Sequence, residues 1–168
     1  MNDLWQTVAL MFAAIPAALF CWNVYYFRRL PEAGDAEDAI SLLIPARNEE
    51  GSIAAAVESV LASQGVSLEV VVCDDGSTDR TAAVVEEIAA RDGRARLIAA
   101  PPLPNGWCGK QFACHTLASA AKHPVLCFLD ADVRLSSSAL RKMNKALGES
   151  QLSLLSGFPR QLTGTLAE

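Results

Sequence analysis

The sequence predicts an α/β fold in which a mostly parallel sheet carries helices on both faces, preceded by one amino-terminal transmembrane helix. Three observations carry that prediction. From Ile40 onward, short β-branched-rich runs alternate with segments of helical periodicity, the order that builds a parallel sheet through helical crossovers. Three of those runs end in polar clusters, "IPARNEE", "CDDGSTD" and "LDAD". Ahead of them all, Leu4 to Phe27 contains no charged side chain.

The elements follow in order. At about 1.5 Å per helical residue, the uncharged run is long enough to cross a hydrocarbon core about 30 Å thick. Trp5 stands near one end and Trp22, Tyr25 and Tyr26 near the other, with Arg28 and Arg29 directly after. That is the pattern of interfacial aromatic anchors followed by positive-inside charges. It predicts a single-pass anchor in the cell (inner) membrane, with everything after the arginines cytoplasmic. A cleaved signal peptide would carry its positive charge before the apolar run and small residues after it; a buried core helix is the other alternative. Pro16 can kink a membrane helix without forbidding it. The expected organisation is an anchor over 1–29, an acidic Pro/Gly-containing linker over 30–39, and an α/β domain over 40–168.

Within that domain, "AISLLIP" and "SLEVVVCDD" read as strands, with "RARLIAA", "PVLCFLDAD" and "LSLLSG" as weaker ones. "EEGSIAAAVESVLASQG" places Ile53, Val57, Val60 and Leu61 on one helical face, with Gly65 as its stop. "STDRTAAVVEEIAARDG" opens with capping residues and closes at Gly93; "GKQFACHTLASAAKH" and "SSSALRKMNKALGES" read as two more helices. The chain of 168 residues, 51% hydrophobic and 20% charged, can bury the core of one such domain. Its net charge of −5, with no Lys/Arg cluster, argues against a nucleic-acid partner.

Ligands of parallel sheets bind at the carboxyl ends of the strands, so the three polar clusters converge on one edge. Asp130 and Asp132 cannot both point into an apolar sheet, but at a strand end they can turn toward a hard divalent cation. Mg2+ or Mn2+ held by one or two carboxylates plus substrate phosphates fits such a pair. Asp74 and Asp75 can accept hydrogen bonds from a base N–H or ribose hydroxyls; Asp-Asp-Gly-Ser is also ordinary turn and capping chemistry. Lys110 opens a helix after Gly106 and Gly109, where the helix amino terminus would assist it beside a diphosphate. The alternative for it is a solvated surface lysine.

"SLLIPARNEE", "VVVCDDGSTDRT" and "GKQFACHTLASAAKHPVLCFLDADV" resemble the successive motifs of family 2 glycosyltransferases, over roughly Ala39 to Leu147. The resemblance implies the GT-A (Rossmann-like) fold, a nucleotide-sugar donor, often a UDP-sugar, a Mg2+ or Mn2+ ion, and an inverting transfer. Pro45, Ala46, Arg47 and Glu49 match the family's first nucleotide-binding loop. Asp74 and Asp75 match its acidic pair near the uridine, and Lys110 the lysine before the fourth strand. Asp130 and Asp132 match the Asp-x-Asp (DxD) motif, with Asp132 on the metal and Asp130 on metal and nucleotide. "PLPNGWCGK" beside an amino-terminal anchor resembles membrane-bound members that glycosylate lipids such as hopanoids, carotenoids or ceramide, which implies a membrane lipid or lipid-linked acceptor. His115 stands where the family often has Asn. The family's general base and acceptor-binding segments lie well beyond the Asp-x-Asp motif, so the base is expected beyond Glu168 and the catalytic residue is left unassigned. The alternative function is a catalytically incomplete nucleotide-sugar-binding module or fragment.

Other features are plainer. Cys21, Cys73, Cys108, Cys114 and Cys127 form no CxxC pair, which suits reduced thiols. Cys108, Cys114, His115 and His123 lack the usual zinc-ligand spacing. Trp107 faces an acceptor, a membrane surface, or only closes its loop. No P-loop or GxGxxG fingerprint occurs, and a phospho-receiver, which also uses an acidic pair at a strand end, does not place a second acidic cluster after a Gly-Lys helix.

Overall fold

The computed structural model describes residues 2–26, 30–32, 38–150 and 153–160. The chain divides into two compact units, Met1–Leu30 and Pro31–Glu168. The first holds α1 (Asn2–Tyr26), with Pro16 inside it. Trp5–Tyr25 is long and apolar enough to cross a membrane, alone among the helices of the described residues. Its large apolar side chains, Phe12, Leu19 and Phe20 among them, are exposed. Arg28, Arg29 and linker positions 33–37 lie outside the described residues.

The second unit runs β1 (Ile40–Ala46), α2 (Ile53–Leu61), β2 (Leu68–Asp74), α3 (Thr81–Arg91), β3 (Ala95–Ala99), α4 (Gly109–Ala120), β4 (Val125–Phe128) and α5 (Ala139–Glu149). The strands form one four-stranded sheet in the order β3-β2-β1-β4, and every pairing is parallel. Alternation along each strand decides what each face buries. Ile40, Leu42 and Ile44 of β1 and Val70 and Val72 of β2 pack with Ile53, Val57 and Val60 of α2, Val85 and Ile88 of α3 and Leu140 of α5. Leu43, Val71 and Cys73 face the other way, onto Ala113 and Leu117 of α4. Strands buried on both faces explain why the runs read as nearly continuous apolar stretches.

The reversal of direction after β3 creates the site. Steps from β1 to β2 to β3 place α2 and α3 on one face; the return past β1 to β4 places α4 on the other, because such crossovers keep one hand. The carboxyl ends of β1 and β4 thus form a topological switch point, where parallel sheets bind ligands.

Two local expectations differ from the structure. "LSLLSG" is not a strand: Ser153 to Gly157 is irregular, with Leu154 81% exposed. Apolar content favours a strand only where a ladder partner satisfies its backbone, and none adjoins these residues among those described. The α2 helix ends at Leu61, and Gly65, at φ 64, serves the turn beyond it rather than the helix end itself.

Candidate active site

Local backbone features bring the strand-end residues together. Leu129 N–H bonds the Leu43 carbonyl at 3.0 Å, and Asp75 N–H bonds that of Ala46 at 2.9 Å, carrying both strand ends outward in register. In Asp130-Ala131-Asp132 the alternation continues: Ala131 is 4% exposed and belongs to the core, while both aspartates are exposed. Two carboxylates one residue apart therefore face solvent together because the alanine between them faces inward.

These residues line a cavity of about 420 Å³. Its walls are Pro45, Ala46, Arg47 and Glu49 from the end of β1, Asp75 after β2, Gly109, Lys110 and Ala113 from α4, and Asp130, Ala131 and Asp132 after β4. Lys110 Nζ lies 2.8 Å from Asp130 Oδ1, with side chains 65% and 59% exposed. That hydrogen bond raises the Lys110 pKa above its ordinary value, so the ammonium is fully charged at neutral pH. Arg47 Nη1 lies 3.8 Å from Asp75 Oδ2. No side chain caps the first turn of α4, which leaves its amides and its dipole directed at the cavity. Gly109 allows the approach: a Cβ there would stand 2.8 Å from Asp75 Oδ2.

Of the residues expected at a nucleotide site, Pro45, Ala46, Arg47, Glu49, Asp75, Lys110, Asp130 and Asp132 share this cavity. Asp74 does not line it. Its Oδ1 accepts from the Ser77 N–H at 3.2 Å and its carbonyl from the Ala100 N–H at 2.9 Å, so it shapes the loop that presents Asp75. Of the acidic pair, Asp75 alone lines the cavity, and Asp74 does the turn chemistry.

Asn48, which the sequence did not single out, organises the first loop. It sits at φ 57, a left-handed conformation that Asn adopts more readily than most residues. Its Oδ1 accepts from the Thr78 N–H at 2.8 Å, and its own N–H donates to Ser77 Oγ at 2.9 Å. Glu49 N–H donates to Thr81 Oγ1 at 2.7 Å, and Glu50 N–H to Asp79 Oδ2 at 3.1 Å. The hydrogen bond from Thr81 keeps the Asp79 carboxyl below its usual range. The loops after β1 and β2 are therefore laced together, which holds Arg47 beside Asp75. The signal in the sequence was an Asn two residues past a strand end, but its partner lies 30 residues away.

The cavity carries four carboxylates, Glu49, Asp75, Asp130 and Asp132, against two cations, Arg47 and Lys110. No cluster of three or more His, Cys, Asp or Glu side chains forms a metal cage among the described residues. A pair of exposed carboxylates suits a hard cation whose remaining ligands are phosphate oxygens and water. Burial, followed by the charges of Asp75 and Asp74, pushes the Cys73 thiol up to about 11, and burial does the same for Cys127.

Comparison with known proteins agrees with this architecture. The mannosyltransferase PcManGT from Pyrobaculum calidifontis, in complex with GDP-Man and Mn2+, superposes with a TM-score of 0.61 at 22% identity, over 80% of this chain and 41% of that one. TarS 1-349 of S. aureus in complex with UDP gives 0.54 at 23% identity, over 66% and 32%. These likenesses establish the shared GT-A fold. The 4,4'-diaponeurosporenoate glycosyltransferase of Staphylococcus haemolyticus is 38% identical over 104 residues, 62% of this chain and 27% of that protein. Its counterpart in Staphylococcus aureus MRSA252 is 35% identical over 128 residues, 74% of this chain and 32% of that protein. The chain thus spans about a third or less of the length of these relatives. Residues 41–161 match the profile of glycosyl transferase family 2, and the chain belongs to that family.

Proposed function

We propose that the α/β domain binds a nucleotide sugar, by preference a UDP-sugar, at the carboxyl ends of β1 and β4. It serves there as the donor site of an inverting transfer to a lipid or lipid-linked acceptor. The observation that carries this reading is the charge of the cavity, four carboxylates against two cations. A diphosphate entering it alone would meet like charges, each worth several kcal/mol at about 4 Å in a protein-surface dielectric. Asp130 and Asp132 fit a magnesium or manganese ion as partial ligands, which when bound would screen those charges and stabilise the one developing on the departing nucleotide.

The remaining roles follow from the side chains. Lys110 is held only by an exposed ion pair, so its ammonium can exchange Asp130 for a phosphate oxygen at little cost. The uncapped α4 amino terminus adds backbone donors for the same phosphates. Asp75, with Arg47 beside it, can accept from a base N–H or ribose hydroxyls. An acceptor hydroxyl must lose its proton to a base, and the cavity carboxylates are all assigned to the donor. That assignment favours the second reading, donor binding without transfer by these residues alone.

Support for the finer points comes from the relatives. Neighbours were solved with UDP, UDP-GlcNAc and GDP-Man, and the acceptor in the name of the staphylococcal relatives favours a lipid-like acceptor. An exposed helix able to cross a bilayer favours a single-pass anchor in the cell membrane, and Arg28 and Arg29 after it in the sequence favour the domain on the cytoplasmic side. Calorimetry with UDP is the test. Binding is expected with Mn2+, much weaker binding without it, and neither in Asp132→Ala. Equal affinity with and without metal, or intact metal-dependent binding in Asp132→Ala, would overturn the assignment. Sugar transfer into membrane lipid extracts, run on the same protein, separates the two readings.

A further inference from the structure

At the opposite end of the sheet from the cavity a carboxylate is buried. Glu69 of β2 is 6% exposed. Its Oε1 accepts from the Ser41 hydroxyl at 2.6 Å and from the Lys122 backbone N–H at 2.6 Å. Its Oε2 accepts from Arg96 Nε at 3.1 Å. Ser41 Oγ accepts in turn from the His123 N–H at 3.0 Å, and the Arg96 guanidinium donates to the Ala120 carbonyl. Burial works to raise the Glu69 pKa, but the bonds from Ser41, Lys122 and Arg96 outweigh it and keep the group ionised.

Three of these five bonds end on residues 120–123, the turn between α4 and β4. A helix carboxyl terminus usually closes on a glycine or on water. Here Ala121 is extended and β1, β2 and β3 supply the partners through Ser41, Glu69 and Arg96. Upstream of the turn, α4 runs about 15 Å, at 1.5 Å per residue, to Lys110. Downstream, β4 ends two residues before Asp130, and Lys110 and Asp130 meet at 2.8 Å in the cavity. The turn is the fulcrum of that pair. A buried ionic group is not required for stability as such, since apolar packing often does as well, and fixing a register is its best-attested use.

We propose that Glu69, with Ser41 and Arg96, is a positioning clamp that fixes the α4–β4 turn and thereby sets Lys110 against Asp130 and Asp132 in the donor site. The proposal rests on the donor-site reading above for its ligand, and on the sheet geometry for its mechanism. Glu69 touches no cavity group and acts only through α4 and β4.

The test is a double-mutant cycle on the full chain, with UDP and Mn2+ as the probe. Glu69→Gln is expected to weaken UDP by several-fold to about tenfold, the range for residues that act on a site without touching its ligand. In a Lys110→Ala background it is expected to cost nothing further. Full affinity in Glu69→Gln, or losses that multiply in the double variant, would overturn the clamp. Amide hydrogen exchange provides a readout without ligand. The Phe112 N–H, bonded to the Cys108 carbonyl at 2.9 Å in the first turn of α4, is expected to exchange several-fold faster in Glu69→Gln and in Arg96→Ala. Exchange that quickens only around residues 120–123 would reduce Glu69 to a local cap. Failure of the wild-type chain to bind UDP would strike the donor reading, while the exchange result alone would then decide the clamp.

Discussion

The two ends of the parallel sheet use the same pairs of charges for opposite purposes. At the carboxyl ends of the strands, Lys110 and Asp130 meet with side chains 65% and 59% exposed. At the amino ends, Arg96 and Glu69 meet with side chains 29% and 8% exposed. Water screens the first pair, so either partner can leave it for a ligand. The second pair has no such alternative, because a buried carboxylate deprived of its donors bears the full cost of desolvation. An ion pair is therefore a poor guide to function until its burial is known: the weak one belongs to the site, and the strong one holds the scaffold.

The contrast is broken most severely by removing one partner at each end. Glu69→Ala is expected to destabilise the domain by about 3 kcal/mol, the lower part of the range for breaking a buried pair, since Arg96 retains some access to solvent. Lys110→Ala is expected to cost less than about 1 kcal/mol. Urea unfolding of both variants measures the difference, and equal losses would erase the distinction between the ends.

Acid sharpens the same comparison. Glu69 is depressed in the folded state by bonds that outweigh its burial, so its contribution is complete above the unfolded value, about 4.3. It is lost as pH falls through the lower folded value. The stability gap between the wild type and Glu69→Gln is therefore expected to be constant near neutrality and to narrow at pH 3. A gap of the same size at both pH values would mean that Glu69 is not the ionised centre of the clamp.

The smallest expected change in stability comes from Gly109→Ala. The new Cβ would meet Asp75 Oδ2 at 2.8 Å, and the carboxylate can swing aside, so unfolding is expected to move by no more than about 0.5 kcal/mol. UDP affinity is expected to fall with Asp75 displaced from Arg47. Unchanged affinity would remove Asp75 from the donor site.

How legible each part was in the sequence follows from how local its cause is. The β1 and β2 runs are apolar because both faces of the sheet are covered, and α2 shows its buried stripe of Ile53, Val57 and Val60 directly. The cavity residues after β1, β2 and β4 were legible as strand ends, because the carboxyl edge of a parallel sheet is where such residues gather, and Lys110 as the start of a helix. Asn48 and Glu69 were not. Asn48 depends on Thr78 and Ser77, and Glu69 on Ser41, Arg96 and Lys122, up to 53 residues away. In "SLEVVV" a glutamate at the start of a strand reads as a solvated end until the α4–β4 turn is seen to close over it. "LSLLSG" failed for the converse reason: it has the composition of a strand, and no described neighbour gives it a ladder.

The central claim is that the open end binds a metal-bridged nucleotide while the closed end only supports it. Amide shift mapping on the full chain, titrated with UDP and Mg2+ together, tests this most directly. Changes are expected to concentrate at Ala46, Arg47, Glu49, Asp75, Gly109, Lys110 and Asp130 to Asp132, with Glu69, Arg96 and Lys122 nearly still, and UDP without Mg2+ is expected to produce little of this pattern. Shifts centred on Glu69 and the α4–β4 turn, or an identical pattern without the metal, would contradict the claim.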